Sequence, residues 1–286
     1  MIDLRSALGI PWQGSFPHPT LVMGIVNVTP NSFQSEGRHQ DPTFAVYHAL
    51  RLIDEGADIL DIGGESSRPG APPVSLEDEQ KRVLPVIEGI RARSSVPVSV
   101  DTRKAPVARE ALELGAVMVN DVSAGRFDPA MFETAAAANA FICLMHGPVD
   151  TEGMAWSTDE TAGTGNVVSE ASAFLSERAR AAAGAGVSKD RIIIDPGFGF
   201  GKTVAENLSL IRELGVLAEL DYPVLIGVSR KSTVGRILGD VPPEERVEGS
   251  IALALMAVER GAAVIRTHDV QATVRAIRAL DAALGA

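Results

Sequence analysis

Short apolar runs rich in β-branched residues recur eight times along the chain: "LVMGIVNV", "ILDIGG", "PVSVDT", "MVNDV", "FICLMH", "IIIDPG", "PVLIGVS" and "AVIRTHD". They are nearly continuous in hydrophobicity and mostly bounded by Gly or Pro, as strands buried on both faces of a parallel sheet are. Helical periodicities lie between them, among them "FAVYHALRLIDEG", "LEDEQKRVLPVIEGI", "PVAREALELG" and "AENLSLIRELGVLAEL", and "VQATVRAIRALDAAL" follows the eighth run. Gly56, Gly115, Gly186 and Gly261 stand where helix C-caps belong. A strand–helix unit repeated eight times predicts an α/β fold, a (β/α)8 TIM barrel with a parallel eight-stranded core, typically about 250 residues long. A doubly wound sheet carries the same local signals, and only the count favours closure. No linker or low-complexity tract divides the chain, so 1–286 reads as one domain, with a core from about 21 and an N-terminal extension over 1–20. The segment 147–165 reads as a long loop after the fifth strand.

Charge and cysteine usage narrow the function. A formal net charge of −11 argues against a general binder of nucleic acid or anionic membrane, while leaving room for a small basic pocket. The single Cys143 rules out an internal disulfide and fits a reduced, cytoplasmic setting. The five histidines are scattered and there is no HExxH, which argues against zinc. The start lacks a signal-peptide pattern, and no apolar run approaches the ~20 residues of a membrane helix. The expectation is a soluble cytoplasmic protein.

In a barrel of this kind the chemistry sits at the carboxyl ends of the strands, and nearly every predicted strand here ends in polar residues. They are Asn27, the "GGES" run, Asp101, Asn120 with Asp121, His146, Asp195, the "SRK" run and "RTHD". Residues two apart on a strand share a face, which pairs Ser229 with Lys231, away from Arg230, and pairs Arg266 with His268. Two cationic groups on the last strands of an acidic protein predict a local anion site. Facing them, Asp101, Asn120 and Asp195 suit a flat, nitrogen-rich ring, because a carboxylate accepts two parallel hydrogen bonds from an N–C–N edge. The run "DPGFGFGKT" at 195–203 fails the Walker A pattern at Pro196 and also fails GxGxxG. It reads as a turn presenting Phe198, Phe200 and Lys202.

"NVTP-SF", "GGESSRPGA", "DTRK", "NDVSAG", "LMH", "DPGFGFGKT", "SRKS" and "RTHDV" stand in the order found in the dihydropteroate synthase family, and the chain resembles it from about Leu21 to the final helix. The resemblance implies the same barrel. It also implies condensation of 6-hydroxymethyl-7,8-dihydropterin pyrophosphate with p-aminobenzoate, assisted by Mg2+, and competition by sulfonamides. Asp101, Asn120, Asp195 and Lys231 would hold the pterin, with Asp101, Lys231 and Asp195 carrying catalysis. Asn27, Arg266 and His268 would hold the pyrophosphate, and Asn27 would also ligate the metal. Phe33, Ser67, Arg68, Pro69, Phe200 and Ser229 would shape the aminobenzoate site, and a homodimer built through the last helices is implied.

Departures cluster in the covering loops. Asn31 and Ser35 replace two carboxylates of the usual "NVTPDSFSDGG", and Ser67 stands where threonine is commoner. A pterin-binding paralogue with weakened activity, a pterin-dependent methyltransferase and a barrel acting on a phosphorylated sugar are the alternatives.

Overall fold

The structure, a computed structural model, describes residues 3–10, 20–29, 42–68, 70–149, 154 and 165–285. Asn31, Phe33, Ser35, Pro69 and most of the predicted 147–165 loop lie outside the described residues.

Eight parallel strands form the wall: β1 Leu21–Asn27, β2 Ile59–Gly63, β3 Val98–Asp101, β4 Met118–Asp121, β5 Phe141–Met145, β6 Ile192–Asp195, β7 Val224–Ile226 and β8 Ala262–Thr267. They run in sequence order around a closed barrel. The pairing of β1 with β8, Leu21 opposite Val264 and Met23 opposite Arg266, closes it and excludes the doubly wound alternative. Around it lie α2 Pro42–Asp54, α3 Leu76–Arg91, α4 Ala105–Glu113, α5 Met131–Ala137, α6 Val167–Gly184, α7 Val204–Arg212, α8 Leu214–Ala218, α9 Ser232–Ile237, α10 Val247–Glu259 and α11 Val270–Leu284, with a short α1, Leu4–Ala7, ahead of them. The predicted C-cap glycines all take positive φ: +103° at Gly56, +99° at Gly115 and Gly186, and +95° at Gly261. The expected helix "AENLSLIRELGVLAEL" breaks at Glu213 into α7 and α8, and each half buries its own apolar pair, Leu210 with Ile211 and Leu214 with Leu217.

Strand alternation sorts the core into two layers. Outward residues such as Leu60, Ile62, Val100, Ile142 and Ile194 pack under the helices. Inward residues Leu21, Met23, Ile59, Met118, Phe141, Cys143, Ile193, Leu225 and Val264 fill the barrel interior. Leu4 of α1 joins this inner layer, with Leu8 and Ile10 against it, and Arg5 pairs with Asp58 at 3.0 Å. The described part of the N-terminal extension therefore plugs the end where the strands begin. At the other end the inward positions turn polar.

Candidate active site

Asp61 is fully buried in the middle of β2. It shares an inward parity with Ile59, and its Oδ2 accepts from Arg266 Nε at 2.6 Å and from Asn120 Nδ2 at 2.9 Å. Arg266 Nη2 donates to Asp101 Oδ2 at 2.8 Å, so one guanidinium of β8 bridges carboxylates of β2 and β3. These bonds engage Nε and Nη2 and leave the Nη1 donors for an anion. Burial lifts the Asp101 carboxyl to about 7 against the pull of Arg266, with Asp61, Glu79 and Asp121 adding to the rise. Burial works against the Arg266 charge, yet Asp61 and Asp101 outweigh it and hold the guanidinium firmly protonated. Asp61 was missed in the sequence because it sits inside an apolar run; the available signal was a carboxylate at inward parity in a strand otherwise buried on both faces. Asp121 turns the other way and caps its own loop, accepting from the backbone N–H of Ser123 at 2.8 Å and of Gly125 at 2.6 Å.

The opposite wall is built by the turn after β6. Asp195 Oδ1 accepts from the Gly197 N–H at 2.7 Å. Gly197 has φ +69°, and a Cβ there would lie 1.9 Å from the His146 carbonyl oxygen, so only glycine lets this turn press against the end of β5. The turn does not present all three of the residues expected of it. Phe198 is fully buried among the outer-layer side chains. Lys202 is buried too, donating to the carbonyls of His146 at 2.8 Å, Gly197 at 3.0 Å and Phe200 at 3.1 Å. That ammonium is spent on holding the turn together, and burial lowers it to about 7. Phe200 alone remains beside the site, its ring centroid 4.5 Å from Lys231 Nζ, a cation–π distance. Lys231 also donates to the Phe198 carbonyl. Burial brings Lys231 down to about 8, with Asp195 opposing the fall. Burial raises Asp195, with Lys231 opposing.

Strand β7 stops at Ile226, so "SRK" lies in a turn and not on a strand, with Arg230 at φ +58°. The expected separation of faces survives for a different reason. Arg230 is drawn off by a two-bond pair with Asp269, Nε to Oδ2 at 3.0 Å, which leaves Ser229 and Lys231 toward the site. Ser229 Oγ accepts from the His268 backbone N–H at 3.1 Å and lies 3.1 Å from His268 Nδ1. On the ring's far side Nε2 is 3.5 Å from Asn27 Nδ2. Burial, then Arg266 and Arg230, push His268 down to about 3. The ring is neutral at pH 7, so the cations at this corner are Arg266 of β8 and Lys231 of the turn after β7.

At the rim, Ser67 is half-buried and lines a small cleft, partly open to solvent, with Glu65, Asp101, Thr102 and Arg103. Arg68 is exposed, and its charge is felt at His268. Glu65 pairs with Arg103 at 3.0 Å and with Lys104, which also pairs with the fully buried Glu79 of α3 at 2.5 Å. Sequence reading did not single out these charges. Of the predicted site residues within the described chain, Asp101, Asn120, Asp195, Lys231, Arg266, Asn27, His268, Ser229 and Phe200 gather at this end, with Ser67 and Arg68 on its rim; Phe33 and Pro69 lie outside the described residues.

Comparison with known proteins settles the family. A family model described as pterin binding enzyme matches residues 23–268. The chain is 43% identical over 270 residues to the dihydropteroate synthase of Bacillus subtilis (strain 168), a match spanning 94% of this chain and 90% of that one. The chain belongs to the dihydropteroate synthase family. A solved dihydropteroate synthase of Xanthomonas albilineans with 4-aminobenzoic acid superposes with a TM-score of 0.87 at 47% identity, covering 93% of this chain and 94% of that one. The Xanthomonas albilineans enzyme in complex with 7,8-dihydropteroate gives a TM-score of 0.84 at 45% identity, with 93% and 94% coverage. Near full-length similarity to dihydropteroate synthases sets aside the methyl-transfer and phosphorylated-sugar alternatives.

Proposed function

We infer that the protein condenses 6-hydroxymethyl-7,8-dihydropterin pyrophosphate with p-aminobenzoate, giving 7,8-dihydropteroate and pyrophosphate in folate biosynthesis. The observation that carries this is a 45% identical relative, matched over nearly its whole length, seen with 7,8-dihydropteroate, together with a carboxylate-lined pocket facing a cation-bearing corner in this chain. The C–O bond between the pterin methylene and the pyrophosphate breaks, a C–N bond to the arylamine forms, and the amine sheds one proton.

Each side chain has a role in that sequence. Asp195 and Asn120 meet the donor and acceptor edges of the ring, and Lys231 donates to it from the side of Phe200. Asp101, beside Arg266, stabilises positive charge developing on the pterin as pyrophosphate leaves. Arg266 offers Nη1 to the anion, and neutral His268 and Asn27 add hydrogen bonds without a charge to neutralise. Ser67, Arg68, Phe200 and Ser229, with Phe33 and Pro69, make the aminobenzoate site. The arylamine is already neutral at pH 7, so no activated nucleophile is required. Catalysis rests on positioning, charge stabilisation and exclusion of water.

Mg2+ enters this reading through Asn27, whose amide oxygen is the hard donor that Mg2+ takes. Among the described residues no cluster of three or more His, Cys, Asp or Glu side chains could hold a metal ion unaided; Mg2+ commonly keeps waters and is shared with substrate phosphates. When bound it would neutralise the leaving pyrophosphate. A homodimer belongs to the same reading, supported by half-buried Leu253, Leu255 and Met256 of α10 and exposed Leu284 of α11. So does a cytoplasmic setting, supported by the free thiol of Cys143. Among the described residues no helix is long and apolar enough to cross a membrane. Incubation with the pterin pyrophosphate, p-aminobenzoate and Mg2+ tests the function: dihydropteroate and equimolar pyrophosphate are expected. Pterin bound without product would instead mark a paralogue that has lost turnover.

A further inference from the structure

Arg103 lies two residues past the end of β3, and its one side chain joins four loops. Its Nη2 donates to Glu65 Oε1 in the β2–α3 loop at 3.0 Å. Its Nη1 donates to the Val149 carbonyl after β5 at 2.9 Å. Its guanidinium carbon stands 4.1 Å from the centroid of the Phe127 ring in the β4–α5 loop. The residue is only 8% exposed, and it lines the rim cleft with Ser67 and Asp101. Glu65 immediately precedes Ser66, Ser67 and Arg68, and its other oxygen is held by Lys104. The backbone N–H of Val74, at the far end of the same loop, donates to Glu65 as well, at 3.4 Å. The Glu65 carboxylate is thus met by Lys104, Arg103 and the Val74 N–H, and Arg103 ties it to the neighbouring loops.

Only a planar fork does this. Two donors diverge to a carboxylate and a carbonyl while the flat face lies on an aromatic ring, which a lysine ammonium, a point charge, does not reproduce. We propose that Arg103 is a positioning residue for the second substrate: its guanidinium fixes the Glu65-anchored loop, and through Ser67 and Arg68 it sets affinity for p-aminobenzoate. Of the residues assigned to the pterin, Asn120, Asp195 and Lys231 stand on other elements, and Asp101 is held by Arg266 instead. This inference rests on the functional reading above.

Two variants test it, Arg103→Met, which keeps the aliphatic stem, and Arg103→Lys, which keeps the charge but loses the fork. Arg103→Met is expected to raise KM for p-aminobenzoate about tenfold, with KM for the pterin pyrophosphate within about twofold and kcat falling less than KM rises. Arg103→Lys is expected to fall between it and wild type. In the same proteins, hydrogen exchange at the backbone amides of 65–68, Gly147 and Val149 is expected to quicken together in Arg103→Met. Equal rises in both KM values, or wild-type kinetics with unchanged exchange, would overturn the proposal. A wild-type protein that makes no dihydropteroate would overturn the functional reading on which the inference rests. The exchange pattern would then still decide, for or against, whether Arg103 couples these loops.

Discussion

At the scale of single residues, the barrel mouth works by moving proton affinities toward neutrality. Asp101 sits at about 7 and Lys231 at about 8, both chiefly through burial. Because the folded Asp101 carboxyl lies above its ordinary 3.8, the native state holds the extra proton between those values. Its contribution to stability is present at low pH and is lost as pH rises through about 7. The proposed reaction requires the reverse, an ionised Asp101 against a charged Lys231. The profile of kcat/KM for the pterin pyrophosphate should therefore be a bell, falling below about 7 and above about 8. A flat profile from about pH 6 to about pH 9 would contradict it. Asp61 plays the complementary part, holding Arg266 and Asn120 from beneath. Asp61→Ala leaves a buried guanidinium with one partner fewer and should cost about 3–5 kcal/mol of stability, read from urea unfolding. The lone carboxylate within "ILDIGG" was not picked out because sequence shows strand ends more readily than the parity of a residue within a strand.

At the scale of elements, the strands and most helices were legible because apolar runs and their glycine caps are local signals. The turns were harder to read. "SRK" gave a correct separation of faces for the wrong reason, since parity was assumed where Arg230 adopts a left-handed turn and pairs with Asp269. Lys202 looked like a presented cation because its partners are backbone carbonyls up to 56 residues away in sequence, which no pattern in "DPGFGFGKT" reveals. The neutrality of His268 likewise depends on burial that only the folded chain supplies. Gly197 is the point at which this turn is most constrained. Gly197→Ala combines a positive φ with a clash against the His146 carbonyl and should lower stability by more than about 1 kcal/mol while displacing Asp195. Thermal unfolding and turnover should fall together; unchanged turnover would show that the turn does not orient Asp195.

At the scale of the whole molecule, the two ends of the barrel divide the labour. The end where strands begin is sealed by α1, and the end where they finish gathers the polar side chains, the face on which this architecture places active sites. Leu4→Ala removes a buried side chain packed under Leu21, Ile59 and Phe141 and should cost about 2–5 kcal/mol. It should leave KM for both substrates unchanged, measured at a temperature where the variant is folded. In the proposed reaction, side chains from the ends of different strands make one pterin site. Turnover and pterin binding in Lys231→Ala and Asp195→Ala test it most directly. Dihydropteroate formation is expected to fall by at least about a hundredfold in each, with the fold retained by circular dichroism. Wild-type turnover in either variant would contradict it.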